Sequence, residues 1–241
     1  MFENKILIDP PFKIDKRFYM SPMEMLKESM RESANNTMIQ NYSRFFLPGI
    51  VNIFTDAAKS NEVKNLAAIG NVITFMFNGQ VYARLAANEF NDCDKIIKAE
   101  LSAILYGLIC YNENRVDCNE INVFTDSINS ITMLRDIFHH MNTILGDSKA
   151  TGGYLAMLNN KFVNNILVSD ITEERSLIMC PVNLYHIKGH TKDLMSICTR
   201  FQQLNGFNIS IQDAIELTNY NTLVNSKVNK YMRCPANIQS C

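Results

Sequence analysis

Two short stretches share one wording and end on a carboxylate: Val51-Asn52-Ile53-Phe54-Thr55-Asp56 and Ile121-Asn122-Val123-Phe124-Thr125-Asp126. Each is an apolar, β-branched run of the kind that forms a central strand, so each delivers an aspartate where its strand gives out. Side by side, the two ends place Asp56 and Asp126 at one edge of a sheet. Like charges held that close raise each other's pKa, and they stay ionised at low cost only with a cation between them. A divalent metal is the simplest such cation. A third acid, Glu100, lies on the edge of an apolar helix face. Such a residue either snorkels to solvent or takes a partner, and taken alone Glu100 reads as the former.

The elements that must hold these acids follow from periodicity. Residues 1–49 read as an extension with one helix, opened by Ser21-Pro22-Met23-Glu24 as an N-cap serine, a first-turn proline and a capping-box glutamate. Met25, Leu26 and Met30 give that helix an apolar packing stripe, and Phe45-Phe46-Leu47-Pro48-Gly49 turns the chain into the first strand. Residues 66–77, the hairpin signal Asn78-Gly79 and residues 80–85 then make an antiparallel meander. From Lys98 to Tyr111 the period switches to that of a helix, with Ile97, Leu101, Ile104, Leu105 and Leu108 on one face. A strand over 120–125, a helix over 126–141, a loop over 146–153, a helix over 154–166 and a strand over 182–187 follow. A helix over 193–203 is broken by Asn205-Gly206, and the last helix starts near Ser210, where Ser-Ile-Gln-Asp resembles a helix start. This order predicts an α/β domain over 50–241, a mixed sheet with helices packed on its faces.

Composition narrows the function classes. The 241 residues are 47% hydrophobic and 20% charged, enough for a sizeable core, and the formal net charge of -1 gives no global positive field to recommend a nucleic-acid partner. A local patch would be needed, and the densest basic stretch is His186, Lys188, His190, Lys192 and Arg200. Seven cysteines without a C-x-x-C spacing argue against a zinc site or a disulfide framework and for reduced thiols. The start lacks the apolar run of a signal peptide and no stretch reaches the length of a membrane span, so the expectation is a soluble, cytoplasmic protein without a membrane partner. His139-His140 end a helix, where a cation favours the dipole. His186, on a strand, reads as a packing residue, and Lys59 as either a phosphate contact or a surface lysine.

Thr55-Asp56, Ala99-Glu100-Leu101-Ser102-Ala103, Thr125-Asp126-Ser127, Lys188-Gly189-His190 and Asn221-x-x-Val224-Asn225 fall in the order, and on the elements, seen in type 1 ribonuclease H. From about residue 50 to 232 the chain resembles that family, and the long insertion between His190 and Asn221 is similar to that of some bacterial and phage-like relatives. The resemblance implies a five-stranded sheet of order 3-2-1-4-5. It also implies a site in which Asp56 bridges two metal ions, with Glu100 and Asp126 on one side and Asn225 on the other. His190 matches the family's mobile histidine, a proton shuttle or product-release group. The expected cofactor is Mg²⁺ or Mn²⁺, as two ions, and the expected substrate is an RNA/DNA hybrid cleaved in its RNA strand.

Those residue types suit phosphodiester hydrolysis, which needs a water made nucleophilic near neutral pH and a charge offset on the leaving oxygen. Two magnesium ions about 4 Å apart do both, and magnesium, a hard ion that keeps several waters, needs only a few carboxylates. The chain departs from the family at Asn225, where a fourth carboxylate is usual, at Ala57, where glycine is usual, and at Ile96-Ile97, which replace polar contacts to RNA 2′-hydroxyls. These departures motivate the alternative of a non-catalytic ribonuclease H-like module for nucleic-acid binding or interaction, or of a related nuclease acting on other nucleic acids.

Overall fold

The computed structural model describes residues 44–91, 93–162, 165–187 and 193–233. Strand β1 (Ile50–Lys59) pairs antiparallel with β2 (Ala67–Phe77), and β2 with β3 (Gln80–Phe90). The β2–β3 turn is the expected hairpin: Asn78 and Gly79 both take positive φ (49° and 73°), as a two-residue turn between twisted strands requires. Helix α1 (Ile96–Glu113) leads to β4 (Glu120–Thr125), which lies parallel to β1, and β5 (Val182–His186) lies parallel to β4. The sheet order is β3-β2-β1-β4-β5, the expected ribonuclease H-like arrangement.

Helices α2 (Ile128–Thr143), α3 (Ser148–Lys161) and α4 (Ile166–Ser176) separate β4 from β5, and α5 (Leu194–Asn205) and α6 (Ile211–Arg233) follow. Two cores result. On one face Ile53, Ile69 and Val123 pack with Leu101, Ile104 and Leu108 of α1, Leu134 and Phe138 of α2 and Ile171 of α4. On the other, Phe54, Val72 and Phe124 pack with Phe201 of α5, Leu217, Val224 and Val228 of α6, and Phe45 and Phe46 ahead of β1. Helix α6 starts as its sequence foretells, with Ser210 Oγ accepting the Asp213 N–H at 3.0 Å and donating to Asp213 Oδ2 at 2.8 Å.

A row of amides pins the register. Asn183, Asn122, Asn52 and Thr74 are register partners across four strands. Asn183 Nδ2 donates to Asn122 Oδ1 and Asn122 Nδ2 to Asn52 Oδ1, each at 3.3 Å, and Asn52 Nδ2 ends the row on Thr74 Oγ1 and the Phe45 carbonyl. A one-residue slip would leave these groups unpaired at about 1–3 kcal/mol each. Outer edge β5 is blunted by two more asparagines. Asn142 bonds both the N–H and the C=O of Val182, each at 3.0 Å, and Asn205 does the same for His186, each at 2.9 Å. Side chains thereby replace a neighbouring strand on an edge that would otherwise template association.

Three expectations are corrected. Strand β1 does not stop at Asp56 but runs to Lys59, because β2 keeps pairing with it through Lys59↔Ala67 after its pairing with β4 has ended at Phe54↔Phe124. Strand β3 likewise continues past Leu85 to Phe90, paired with β2 along its length. The expected loop at 146–153 and helix at 154–166 are instead α3, which begins at Ser148, and a separate α4. Asp147 Oδ1 accepts the N–H groups of Lys149 and Ala150, an N-cap placed seven residues ahead of the apolar pattern that suggested the later start. The helix expected from Ser21 lies outside the described residues. Among the described residues no helix is long and apolar enough to cross a membrane.

Candidate active site

The Thr-Asp pairs at Asp56 and Asp126 share a wording but are held differently. Thr55 Oγ1 donates to the Phe124 carbonyl at 3.2 Å, tying β1 to β4 where their ladder ends. Asp56, the next residue, turns to the opposite face, and its register partner on β2 is Gly70. A Cβ at Gly70 would stand 2.6 Å from Val228 Cγ2 and 3.3 Å from Val224 Cγ2, so the missing side chain lets α6 seat against the sheet beside Asp56. Thr125 Oγ1 instead accepts the Ser127 N–H at 3.1 Å, and Ser127 caps α2 by accepting from the Ser130 N–H. Asp126 is therefore fixed in the turn between strand and helix.

Glu100 comes from the second turn of α1. That helix is buried nearly continuously from Ala99 to Leu108, because the sheet covers one side and α4 packs on another. Close approach is set at Gly107, where a Cβ would meet Ile53 Cγ2 at 2.8 Å and Thr55 Cγ2 at 3.2 Å. Glu100 consequently does not snorkel: it is 8% exposed, and its Oε2 is buried without a hydrogen-bond partner. The partnered reading replaces the solvent-facing one.

Carboxylate oxygens of Asp56, Glu100 and Asp126 all lie within 4.8 Å of one another. Burial, then the Asp126 charge, pushes the Asp56 carboxyl up to about 7 despite the Ala57 N–H donating to its Oδ1 at 2.9 Å. Burial, then the charges of Asp56 and Asp126, pushes Glu100 up to about 9. A buried carboxylate oxygen with no protein donor and two acids beside it is the donor set of a hard divalent cation. The buried acidic triad could bind a metal ion.

The other candidates are placed less directly. Asn225 is half-buried on α6, one turn after the buried Asn221, and its Oδ1 accepts a bond from Asn229 Nδ2. His190, Lys188 and Lys192 lie outside the described residues. Lys59 Nζ donates to the Asp94 carbonyl at 2.6 Å. His140, in the last turn of α2, packs against Tyr154 with ring centroids 4.2 Å apart.

His186 does more than pack. Its Nε2 lies 3.1 Å from the Asp126 carbonyl, which can only accept, so this nitrogen carries the proton. Burial lowers the imidazole pKa and its Nδ1 is buried without a partner, so the ring is neutral. The bond braces the turn that carries Asp126. The strand pattern could have found it: alignment of the two parallel strands puts His186 level with Thr125, one residue before the acid. A cleft of ≈ 400 Å³ lies on the β5 edge between Arg135, His139, Asn142, Gln203 and Asn205, apart from the three acids.

No protein-family model and no curated protein matches the sequence. Among solved structures, the prototype foamy virus protease-reverse transcriptase is similar over 81% of this chain at 15% identity and TM-score 0.45, and the chain spans only 22% of that protein. The PFV RNase H domain matches over 76% of this chain and 94% of its own length at 16% identity and TM-score 0.43. RNase H1 from the halophilic archaeon Halobacterium salinarum NRC-1 matches over 70% and 98% at 14% identity and TM-score 0.37. Likenesses this distant add no argument about activity. The fold assignment rests on strand order and direction.

Proposed function

We propose that this chain is a metal-dependent endonuclease that hydrolyses the RNA strand of RNA/DNA hybrids. One observation carries the reading: three carboxylates from β1, α1 and the end of β4 converge within 4.8 Å, with Glu100 Oε2 buried and unpartnered, at the site edge of a ribonuclease H-like sheet. Asp56, Glu100 and Asp126 would hold Mg²⁺ or Mn²⁺, with Asn225 offering an uncharged amide oxygen to a second ion. When bound, such a pair lowers the pKa of a water and offsets charge on the leaving oxygen. The chain's own part is to present these oxygens pre-arranged and largely shielded from solvent. His186 holds the Asp126 turn through its carbonyl. His190 is assigned proton transfer or product release on its sequence motif, and nucleic acid is the partner class that the fold suggests.

A non-catalytic binding module is favoured by one observation: Asn225 Oδ1, the atom a second ion would need, already accepts from Asn229. Labelled hybrid, duplex RNA and duplex DNA incubated with Mg²⁺ or Mn²⁺ separate the readings. The nuclease predicts hybrid-selective cleavage, lost in Asp126→Asn and unchanged or raised in Asn225→Asp. No cleavage of any substrate with either metal would establish the binding module instead.

A further inference from the structure

At the end of the sheet opposite the acids, two cysteines meet. Cys118 precedes β4 and Cys180 precedes β5, and both are half-buried with free thiols. Their sulfurs lie 3.5 Å apart, although 62 residues separate them in sequence. The Ile121↔Val182 register, carried one step further by the Ile121 N–H bond to the Pro181 carbonyl, sets Asn119 level with Cys180 and Cys118 one residue off.

We propose that Cys118 and Cys180 are a peroxide-sensitive thiol pair that closes reversibly to a disulfide. Cys118 is the attacking sulfur. The Tyr111 hydroxyl, whose proton goes to the Val116 carbonyl at 3.1 Å, lies 3.2 Å from it, and the Cys180 thiol, 3.5 Å away, can donate to a thiolate there. The contact with the Cys180 thiol lowers the pKa of the Cys118 thiol and raises that of Cys180. A buried cation stands near: the Arg175 guanidinium, whose Nε has no hydrogen-bond partner, favours a thiolate at Cys180 once Cys118 has reacted.

In the first step the Cys118 sulfur attacks one oxygen of a hydroperoxide, the O–O bond breaks, and the other oxygen leaves as water or alcohol after taking a proton. Cys118 is then a sulfenic acid. In the second step Cys180 sulfur attacks Cys118 sulfur, the S–O bond breaks, and hydroxide leaves with the Cys180 proton as water. Two thiols lose two electrons in all and one peroxide gains them. The closed bond staples the loops before β4 and β5 and encloses α2, α3 and α4, which constrains the unfolded chain.

The test uses the full chain, metal-free, exposed to a small excess of hydrogen peroxide, then alkylated and peptide-mapped without reduction. A linked peptide joining Cys118 to Cys180, an upward shift in Tm, and reversal of both by dithiothreitol are expected. Cys118→Ser should lose the link and the Tm shift. Cys180→Ala should lose the link but leave a sulfenic acid at Cys118 that dimedone traps. Linkage through other cysteines, or overoxidation of both thiols without a link, overturns the proposal. The peptide map and the melt involve neither metal nor nucleic acid, so the outcome is independent of the nuclease assignment.

Discussion

Asp56→Asn should stabilise the metal-free protein at pH 8 clearly more than at pH 5, where the raised carboxyl already costs on the order of 1.7 kcal/mol. The wild-type carboxyl is raised from 3.8 to about 7, and Glu100 from 4.5 to about 9, chiefly by burial and then by neighbouring acids. Because the folded values lie above the unfolded ones, the native state holds more protons between them. Its stability is therefore fullest below pH 4 or so and declines as pH rises through about 7 to 9. At about 1.4 kcal/mol per pKa unit, ionising Asp56 in the fold at pH 8 costs on the order of 4 kcal/mol. Asparagine removes that charge, eases ionisation of Glu100, and keeps an oxygen to accept the Ala57 N–H. A net gain of about 2–4 kcal/mol, or roughly 5–10 °C in Tm for a chain of this size, is expected at pH 8. Thermal melts of both proteins in chelator at pH 5 and pH 8 provide the comparison. A variant destabilised by the same amount at both pH values would refute the reasoning, since the effect would then owe nothing to the carboxylate charge.

Three more outcomes are expected. Mg²⁺ or Mn²⁺ should raise Tm, by about 2.7 kcal/mol of added stability at a hundred times Kd, more at pH 8 than at pH 6 because protons compete for the same oxygens, and Glu100→Gln should lose most of that effect in metal-titrated melts. Gly107→Ala should destabilise: forcing its Cβ against Ile53 and Thr55 costs about 1–3 kcal/mol, which outweighs the gain of up to about 1 kcal/mol in helix propensity; a urea melt reads the difference. Asn205→Ala removes both bonds to the His186 backbone, about 2 kcal/mol in total, and should speed amide exchange at His186.

Asp56, Asp126 and the elements around them were legible because they rest on short-range pattern, whereas the sheet order came with the resemblance to ribonuclease H. The β-branched runs ending at Asp56 and Asp126, and the Asn78-Gly79 turn, carry their own geometry. Glu100 was legible only through the resemblance, since a glutamate near an apolar helix face looks solvated until α4 is known to close over the helix. The misplaced helix over 154–166 has a plain cause: α3 buries fully only Leu158, so there is little apolar period to read. The asparagines that bound the β5 edge were invisible because their bonds span 40 and 19 residues, and nothing local to Asn142 or Asn205 points to Val182 or His186. In sequence His186 looks like a packing residue because its acceptor is a backbone carbonyl, which has no sequence signature.

The central claim is that Asp56, Glu100 and Asp126 together hold a divalent cation. Crystals grown with Mn²⁺ and measured at the manganese absorption edge test it most directly. The account predicts an anomalous peak in contact with oxygens of all three side chains, lost in Asp56→Asn. Absence of a peak at saturating Mn²⁺, or a peak that leaves Glu100 Oε2 without a ligand, would contradict it.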